Sequence, residues 1–166
     1  RCGLKIVAAK FTNVDKDLGR KHYAKDNEWK ESVGNRSIAE CSEFGLDIMT
    51  IFGTSNPIEI GDLIVERNAE FLNSGPVFAL VFQGPNAVKK IRNMIGSTFP
   101  ETANAGTIRG DFGLENSFTG TSRKRTTYNL IHASGNIEEA EIEINLWFKP
   151  EEIVNYKQVH ENYYNY

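Results

Sequence analysis

Cysteine is scarce in this sequence of 166 residues, which contains only Cys2 and Cys41. So low a count excludes a disulfide-dense secreted scaffold, and the two positions lack the close spacing of a zinc site. Long apolar runs are also missing: no stretch reaches the length of a membrane-spanning helix, and residues 1–6 do not form the apolar centre of a signal peptide. We therefore expect a reducing compartment, with the cytoplasm as the default location.

A basic excess is absent as well, since 19 Lys and Arg against 22 Asp and Glu give a formal net charge of -3. This balance argues against nucleic acid as the main partner, because a surface that follows phosphates usually shows as a basic excess. The 40% apolar and 25% charged residues are typical of one globular domain, which we expect to span residues 1–166. The chain begins with Arg1 and not Met, so we expect its N-terminus to be processed, trimmed or incomplete.

Three apolar segments predict strands. Residues 4–11 are rich in small and β-favouring residues, and residues 128–133 read in the same way. Residues 76–82 form a continuous apolar run between Gly75 and Gly84, a pattern that predicts a central strand covered on both faces.

Four segments are compatible with helices. Residues 15–43 are charged and weakly specified, with a predicted break at Gly34, whereas residues 57–72 and 86–95 carry clearer helical periodicity. Asn136 with Glu139 resembles a capping box, and we expect a buried stripe to follow it: Ile137, Ala140, Ile144, Trp147 and Phe148. Residues 106–112 are too glycine-rich for a regular element, and residues 113–127 suggest a mobile polar loop. The order of elements predicts an α+β fold with helices on a mostly antiparallel sheet.

Histidine occurs three times, at His22, His132 and His160, and His132 differs because it ends an apolar segment just before a helix. The structural alternative is a half-buried histidine whose ring is hydrogen-bonded to a neighbour and has no catalytic role. Ser134 lies two residues on, and Glu143 could hold the imidazole by one nitrogen and leave the other free as a nucleophile. A straight strand would put Asn129 and His132 on opposite faces, so a shared site requires the strand to bend or end there.

Two arginines lie beside flexible backbone. Arg92 is near the end of a predicted helix and Arg109 is in the glycine-rich segment, with Thr98 between them. Planar guanidinium groups suit triphosphate oxygens and the charge that develops in phosphoryl transfer. The structural alternative is a solvated helix end for Arg92 and a loop salt bridge for Arg109.

The segment Asn129 to Ser134 reads Asn-Leu-Ile-His-Ala-Ser and resembles the active-site segment of nucleoside diphosphate kinases, Asn-x-x-His-Gly/Ala-Ser. Residues 106–112, Gly-Thr-Ile-Arg-Gly-Asp-Phe, are similar to that family's corresponding segment at every position. Residues 73–77 and 146–148 match two further signatures. The resemblance runs from about residue 3 to residue 156, with longer loops like those of some archaeal-type members at about 24–66 and 113–126.

The resemblance implies a ferredoxin-like antiparallel sheet covered by helices and a ping-pong kinase in which His132 carries the phosphoryl group between nucleotides. It implies that Glu143 orients the histidine, with Ser134 and Tyr23 as supporting hydrogen-bond partners. It also implies a set of nucleotide contacts: Arg92, Thr98, Arg109, Asn129 and, at one base-clamp position, Ile64. Mg²⁺ would arrive with the nucleotide phosphates and have few direct protein ligands. A homo-oligomer, a hexamer or a tetramer, is also implied, with the loop around Pro100 near subunit contacts.

The chain departs from the family pattern at several positions. The family's first strand, central in its sheet, carries a Lys-Pro-Asp segment whose lysine contacts the transferred phosphate, and this chain begins after it. The two base-clamp positions fall on Ile64 and Asn68, so we expect a weaker clamp or one supplied by Phe44 or Phe52. Phe99 and Gly135 replace the family's usual Asn and Asp.

Two alternatives to an active kinase follow. A non-catalytic nucleotide-binding or scaffold protein of the same fold would bind nucleotides without phosphate transfer. A histidine-dependent phosphatase would release free phosphate without a diphosphate acceptor, but the loop signatures favour the kinase.

Overall fold

The computed structural model describes residues 3–158, so Cys2 and His160 lie outside the described residues. Within that range the chain forms two strands, eight α-helices and two short 3-10 helices, Pro100–Thr102 and Pro150–Glu152. In chain order they are β1 Lys5–Thr12, α1 Lys16–His22, α2 Asn27–Glu43, α3 Ile48–Phe52, α4 Pro57–Asn73, β2 Val77–Gln83, α5 Ala87–Ile95, α6 Ile108–Phe112, α7 Ser117–Ser122 and α8 Ile137–Trp147. The predicted α+β class is confirmed, and the two strands pair antiparallel as the ferredoxin-like expectation requires.

The sheet pairs Lys5 with Gln83 at one end and Thr12 with Val77 at the other, with one irregularity between Ile6 and Ala8. One of its faces packs on the end of α8. The cluster there contains Val7, Ala8, Val81 and Phe148, with Ala79, Ile144, Trp147 and Ile153 packed against it. This packing fixes α8, and therefore Glu143, relative to the sheet.

The prediction that β2 is covered on both faces is wrong. Phe78 is 63% exposed and Leu80 37% exposed, and across the ladder Phe11 is 72% exposed opposite Phe78. A continuous apolar run does not distinguish a strand covered on two faces from one covered on a single face. Within residues 3–158, β2 pairs only with β1, so one face and one edge of β2 remain open.

The predicted third strand at residues 128–133 is also wrong, since the segment has no ladder partner in the described chain. Leu130 lies in the left-handed region with φ of 70°, which breaks the extended run. The carbonyl oxygens of Asn129 and Ile131 accept hydrogen bonds from Arg109 and therefore need no strand neighbour.

The predicted helices at residues 57–72 and 86–95 are confirmed as α4 and α5, and residues 15–43 divide into α1 and α2. The predicted break at Gly34 is wrong, because α2 runs through it. A β-carbon added at Gly34 would lie 1.9 Å from the carbonyl oxygen of Pro57, so this glycine permits close contact between α2 and α4. The packed helices enclose a second core of Cys41, Ile51, Phe52 and Ile60.

Two segments predicted to be irregular contain short helices. In residues 106–112 the Thr107 hydroxyl accepts from the amide of Gly110 at 3.1 Å and begins α6, and Asn104 approaches Gly110 too closely for any β-carbon. In residues 113–127 Asn116 begins α7 by accepting from the amide of Thr119. Local capping therefore offsets the glycine content that argued against regular structure.

Helix α8 begins as predicted at Asn136, whose side chain accepts from the amide of Glu139 at 2.7 Å. The reciprocal half of the capping box differs, because the Glu139 carboxylate accepts from the amide of Gly135. The predicted buried stripe is wrong at Ile137, which is 66% exposed in the first turn of the helix. Among the described helices, none has the length and apolar content needed to cross a membrane.

Candidate active site

His132 and Glu143 form the centre of the site. His132 Nε2 lies 2.8 Å from Glu143 Oε1, and the Ser134 hydroxyl donates to Glu143 Oε2 at 2.5 Å. The Glu143 side chain is 12% exposed and that of His132 is 36% exposed. With Nε2 occupied by the carboxylate, Nδ1 is the nitrogen of His132 that is available for chemistry.

Opposing effects act on the Glu143 carboxyl. Burial by itself would raise its pKa, but the hydrogen bonds from His132 and Ser134 outweigh burial and lower the pKa below its usual value. Glu143 is therefore ionised at neutral pH and supplies a fixed negative charge beside the imidazole.

The backbone bend at Leu130 brings Asn129 and His132 to the same site. Both residues line a cavity of about 340 Å³, and the Asn129 side-chain amide donates to the carbonyl of Thr98 at 3.2 Å. A straight strand would put these two side chains on opposite faces. The left-handed conformation of Leu130 bends the segment between them and allows both to reach the cavity.

The cavity also brings the predicted phosphate ligands together. Arg92, Thr98 and Arg109 line it beside His132. Arg92 is on the exposed side and has a long contact of 3.4 Å to the carbonyl of Ala133. Its guanidinium therefore remains largely available to a ligand in the cavity.

Arg109 makes more hydrogen bonds within the protein than the sequence indicates. It is 7% exposed, and its guanidinium donates to the carbonyls of Gly96 and Ser97, each at 3.1 Å, as well as to those of Asn129 and Ile131. Burial, followed by the positive charge of Arg92, lowers its pKa below the usual value. Four of the five N–H groups of a guanidinium are used in this way, so Arg109 ties two loops together and keeps one N–H group for another partner.

Tyr23 is near His132, but its predicted hydrogen bond is absent from the described residues. Its ring packs at 74° on His22, with centroids 4.7 Å apart, and lies 6.1 Å from the ring of His132. Burial, followed by the negative charge of Glu143, raises the pKa of Tyr23 to about 12. The prediction is corrected accordingly: Tyr23 contacts the site through its ring, while Ser134 makes the expected hydrogen bond.

The far end of the cavity contains the expected base-clamp positions. Ile64 and Asn68 both line it, and Asn68 accepts a hydrogen bond from the Thr126 hydroxyl at 2.6 Å. Of the two aromatic alternatives, Phe52 lines the cavity, whereas Phe44 does not and instead packs on Phe118 with centroids 5.3 Å apart.

Sequence reasoning missed two aromatic residues. Trp29 lines the cavity from α2, in a charged segment without a clear apolar stripe. His22 is 8% exposed, and its ring centroid lies 4.4 Å from that of His132. The one available signal for His22 was its position directly before Tyr23.

One group of three possible metal ligands occurs within residues 3–158: His22, His132 and Glu143, whose ligand atoms lie within 4.8 Å of one another. Mg²⁺ prefers oxygen ligands in octahedral geometry, so a set with two imidazoles does not fit it. Because these groups are engaged in hydrogen bonds, the arrangement resembles a positioned histidine more than a metal centre.

Comparison with known proteins identifies the family. Residues 62–153 match the family model described as nucleoside diphosphate kinase. A nucleoside diphosphate kinase from Pyrobaculum aerophilum is 35% identical over 154 residues, which cover 93% of this chain and 84% of the relative. A relative from Borreliella burgdorferi is 34% identical over 161 residues, or 95% of this chain and 78% of the relative.

Solved structures agree. The crystal structure of an NDP kinase from Pyrobaculum aerophilum superposes with a TM-score of 0.89 at 35% identity, covering 92% of this chain and 84% of that one. A nucleoside-diphosphate kinase from Borrelia burgdorferi, solved as a transition state mimic with bound vanadate and ADP, gives a TM-score of 0.71 at 33% identity, covering 96% and 78%. The present chain therefore belongs to the nucleoside diphosphate kinase family.

Proposed function

We propose that this protein is a nucleoside-diphosphate kinase that transfers the γ-phosphoryl group of a nucleoside triphosphate to a nucleoside diphosphate through His132. The observation that carries the proposal is the contact of 2.8 Å between His132 Nε2 and Glu143 Oε1 at the wall of a cavity that also contains Arg92 and Thr98. The contact holds a proton on Nε2 and leaves the Nδ1 lone pair free for attack.

In the first half-reaction a bond forms between Nδ1 of His132 and the γ-phosphorus, and the bond from that phosphorus to the β,γ-bridging oxygen breaks. The diphosphate leaves with the electron pair. Positive charge develops on the imidazole as Nδ1 is phosphorylated, and the ionised Glu143 carboxylate stabilises it across the Nε2–H hydrogen bond. The second half-reaction reverses these steps with a different diphosphate as acceptor.

Arg92 and the remaining donor of Arg109 supply positive charge for the phosphate oxygens, and Thr98 and Asn129 provide polar contacts at the same wall. Mg²⁺ would enter with the nucleotide and be held by its phosphates, because the His22, His132 and Glu143 group is rich in nitrogen and does not fit this ion. Ile64 and Phe52 form the sides of the space for the nucleotide base. A loose apolar contact of this kind supports low selectivity among bases.

Two further proposals concern the whole chain. It forms a homo-oligomer, for which the exposed apolar side chains of the sheet are the supporting feature. It works in a reducing, cytoplasmic environment, for which the free and buried thiol of Cys41 is the support.

The direct test is labelling with γ-labelled ATP, followed by acid and base treatment and a chase with GDP. We expect the label on the 166-residue chain and not on His132→Ala; it should be lost in acid, survive base and move to GDP. Asn145→Ala, in α8 but outside the cavity lining, is the matched control and should label normally.

A folded chain that takes up no label would contradict the proposal for the chain as it stands. The same assay on a version extended by a strand with a Lys-Pro-Asp segment then separates two explanations. Labelling of the extended chain alone would show that the added segment is required, and nucleotide binding without any label would favour the binding or scaffold alternative.

A further inference from the structure

His22, which is buried, and Trp147, which is half-buried, pack together beside His132. The His22 side chain is 4% exposed, and its ring is edge-to-face with both His132, at 4.4 Å between centroids, and Trp147, at 5.5 Å. The indole nitrogen of Trp147 donates to His22 Nδ1 at 3.1 Å. The phosphoryl-transfer steps above use neither residue.

The indole hydrogen bond determines where the proton of His22 lies. An indole N–H can only donate, so the nitrogen that receives it carries no proton. A neutral His22 therefore has its proton on Nε2. Burial, followed by the charge of His132, lowers the pKa of His22 to about 4, and the ring is neutral at physiological pH.

The tautomer of His22 affects Glu143, because His22 Nδ1 lies close to the Glu143 carboxylate. His22 Nδ1 lies 3.8 Å from Glu143 Oε1, the same oxygen that contacts His132 Nε2 at 2.8 Å. If Nδ1 carried a proton, a shift of about 1 Å would bring it to the distance of a hydrogen bond with Oε1. Such a bond would compete with His132 for the carboxylate.

We propose that Trp147 holds His22 in the Nε2–H tautomer and thereby commits Glu143 to His132. His22 and Trp147 are positioning residues, since they act through Glu143 and not on the phosphate. This inference rests on the proposed function for its effect on catalysis, but the tautomer itself exists whether or not the protein transfers phosphate.

The first test reads the tautomer directly by long-range ¹H–¹⁵N NMR of the full chain labelled at histidine, with His22→Phe to assign the signals. We expect the Nε2–H form at His22 in the wild type and mainly the Nδ1–H form in Trp147→Phe. Tyr156→Phe is the matched control, because it deletes one aromatic donor, bonded to the carbonyl of Ile6, away from the site. An Nδ1–H form in the wild type, or an unchanged tautomer in Trp147→Phe, would overturn the proposal.

The second test is a double-mutant cycle on the rate at which ATP phosphorylates His132. Trp147→Phe should slow this step about tenfold in the wild-type background and less than about twofold in the His22→Phe background, because the competing imidazole is gone. Equal losses in both backgrounds would refute the mechanism. If Trp147→Phe does not fold, 3-benzothienylalanine at position 147 keeps the ring shape and removes only the N–H. Absence of phosphorylation in the wild type would count against the proposed function alone, since the NMR result is independent of it.

Discussion

At the scale of single residues, Glu143 divides its two oxygens between His132 and Ser134. Glu143→Gln keeps the shape but removes the charge that stabilises the imidazole, so we expect phosphohistidine to form roughly tenfold more slowly or worse. The measurement is a single-turnover assay with ATP. Glu141→Gln, exposed on the same helix, removes an equal charge and should retain the wild-type rate; equal losses in both variants would point to net charge as the cause.

The lowered pKa of His22 predicts that the stability of the protein depends on pH. Its folded-state pKa of about 4 lies below the ordinary value of 6.5, so the unfolded chain binds more protons between these values. Stability should therefore fall as pH decreases from 6.5 towards 4, apart from the loss at still lower pH expected when Glu143 is protonated. Urea unfolding at several pH values should show a flatter profile for His22→Phe over that window. An unchanged slope would assign the pH dependence to other groups.

Substitutions at Arg109 and Arg92 should distinguish a structural role from a ligand-binding role. Lysine cannot reproduce the fork that bonds four carbonyls, so Arg109→Lys should cost about 2 kcal/mol of stability. Arg92→Lys loses only one long contact and should unfold like the wild type. Both variants should bind nucleotide more weakly than the wild type, as measured by calorimetry. Equal stability of the two variants would show that the carbonyl contacts of Arg109 contribute little.

At the scale of elements, the contact between α2 and α4 depends on the absence of side chains. Gly34→Ala gains about 1 kcal/mol of helix propensity but drives a methyl group into the carbonyl of Pro57, so a net loss of about 1–3 kcal/mol is expected. Chemical unfolding of this variant beside Ser32→Ala, an exposed position of the same helix, gives the comparison. A stabilised Gly34→Ala would mean that the helices separate at little cost.

Elements with strong periodicity were predictable, as α4, α5, β1 and β2 show. The failures arose where tertiary contacts decide the backbone. Arg109 takes the carbonyls that a third strand would have used, and Pro57 lies close enough to require the glycine that was read as a break. Periodicity within a segment carries no information about either contact.

For the site, the family resemblance correctly implied that His132 and Ser134 contact Glu143, which lies 11 and 9 positions from them along the chain. It missed His22, whose role depends on a contact with Trp147 across 125 positions. The roles of the individual nucleotide ligands stay predictions that the variants above can test.

At the scale of the whole molecule, the open face of the sheet predicts self-association. Phe11 and Phe78 oppose each other across the ladder and are 72% and 63% exposed, with Leu80 on the same face. Apolar patches of this kind usually mark contact surfaces. Sedimentation should show an oligomer that Phe78→Lys weakens, whereas Leu114→Lys, exposed but outside the sheet, should leave it intact. A wild type that stays monomeric at all concentrations would contradict this.

The antiparallel pairing of β1 with β2 also determines when the sheet can form. About 65 residues separate the end of β1 from the start of β2, and a ribosome adds roughly 5–20 residues per second. β1 is therefore synthesised on the order of several seconds before β2, an interval that is long beside the microseconds to milliseconds in which helical segments generally form. We expect β1 to lack β2 during that interval and to be accessible then to chaperones that bind extended apolar segments.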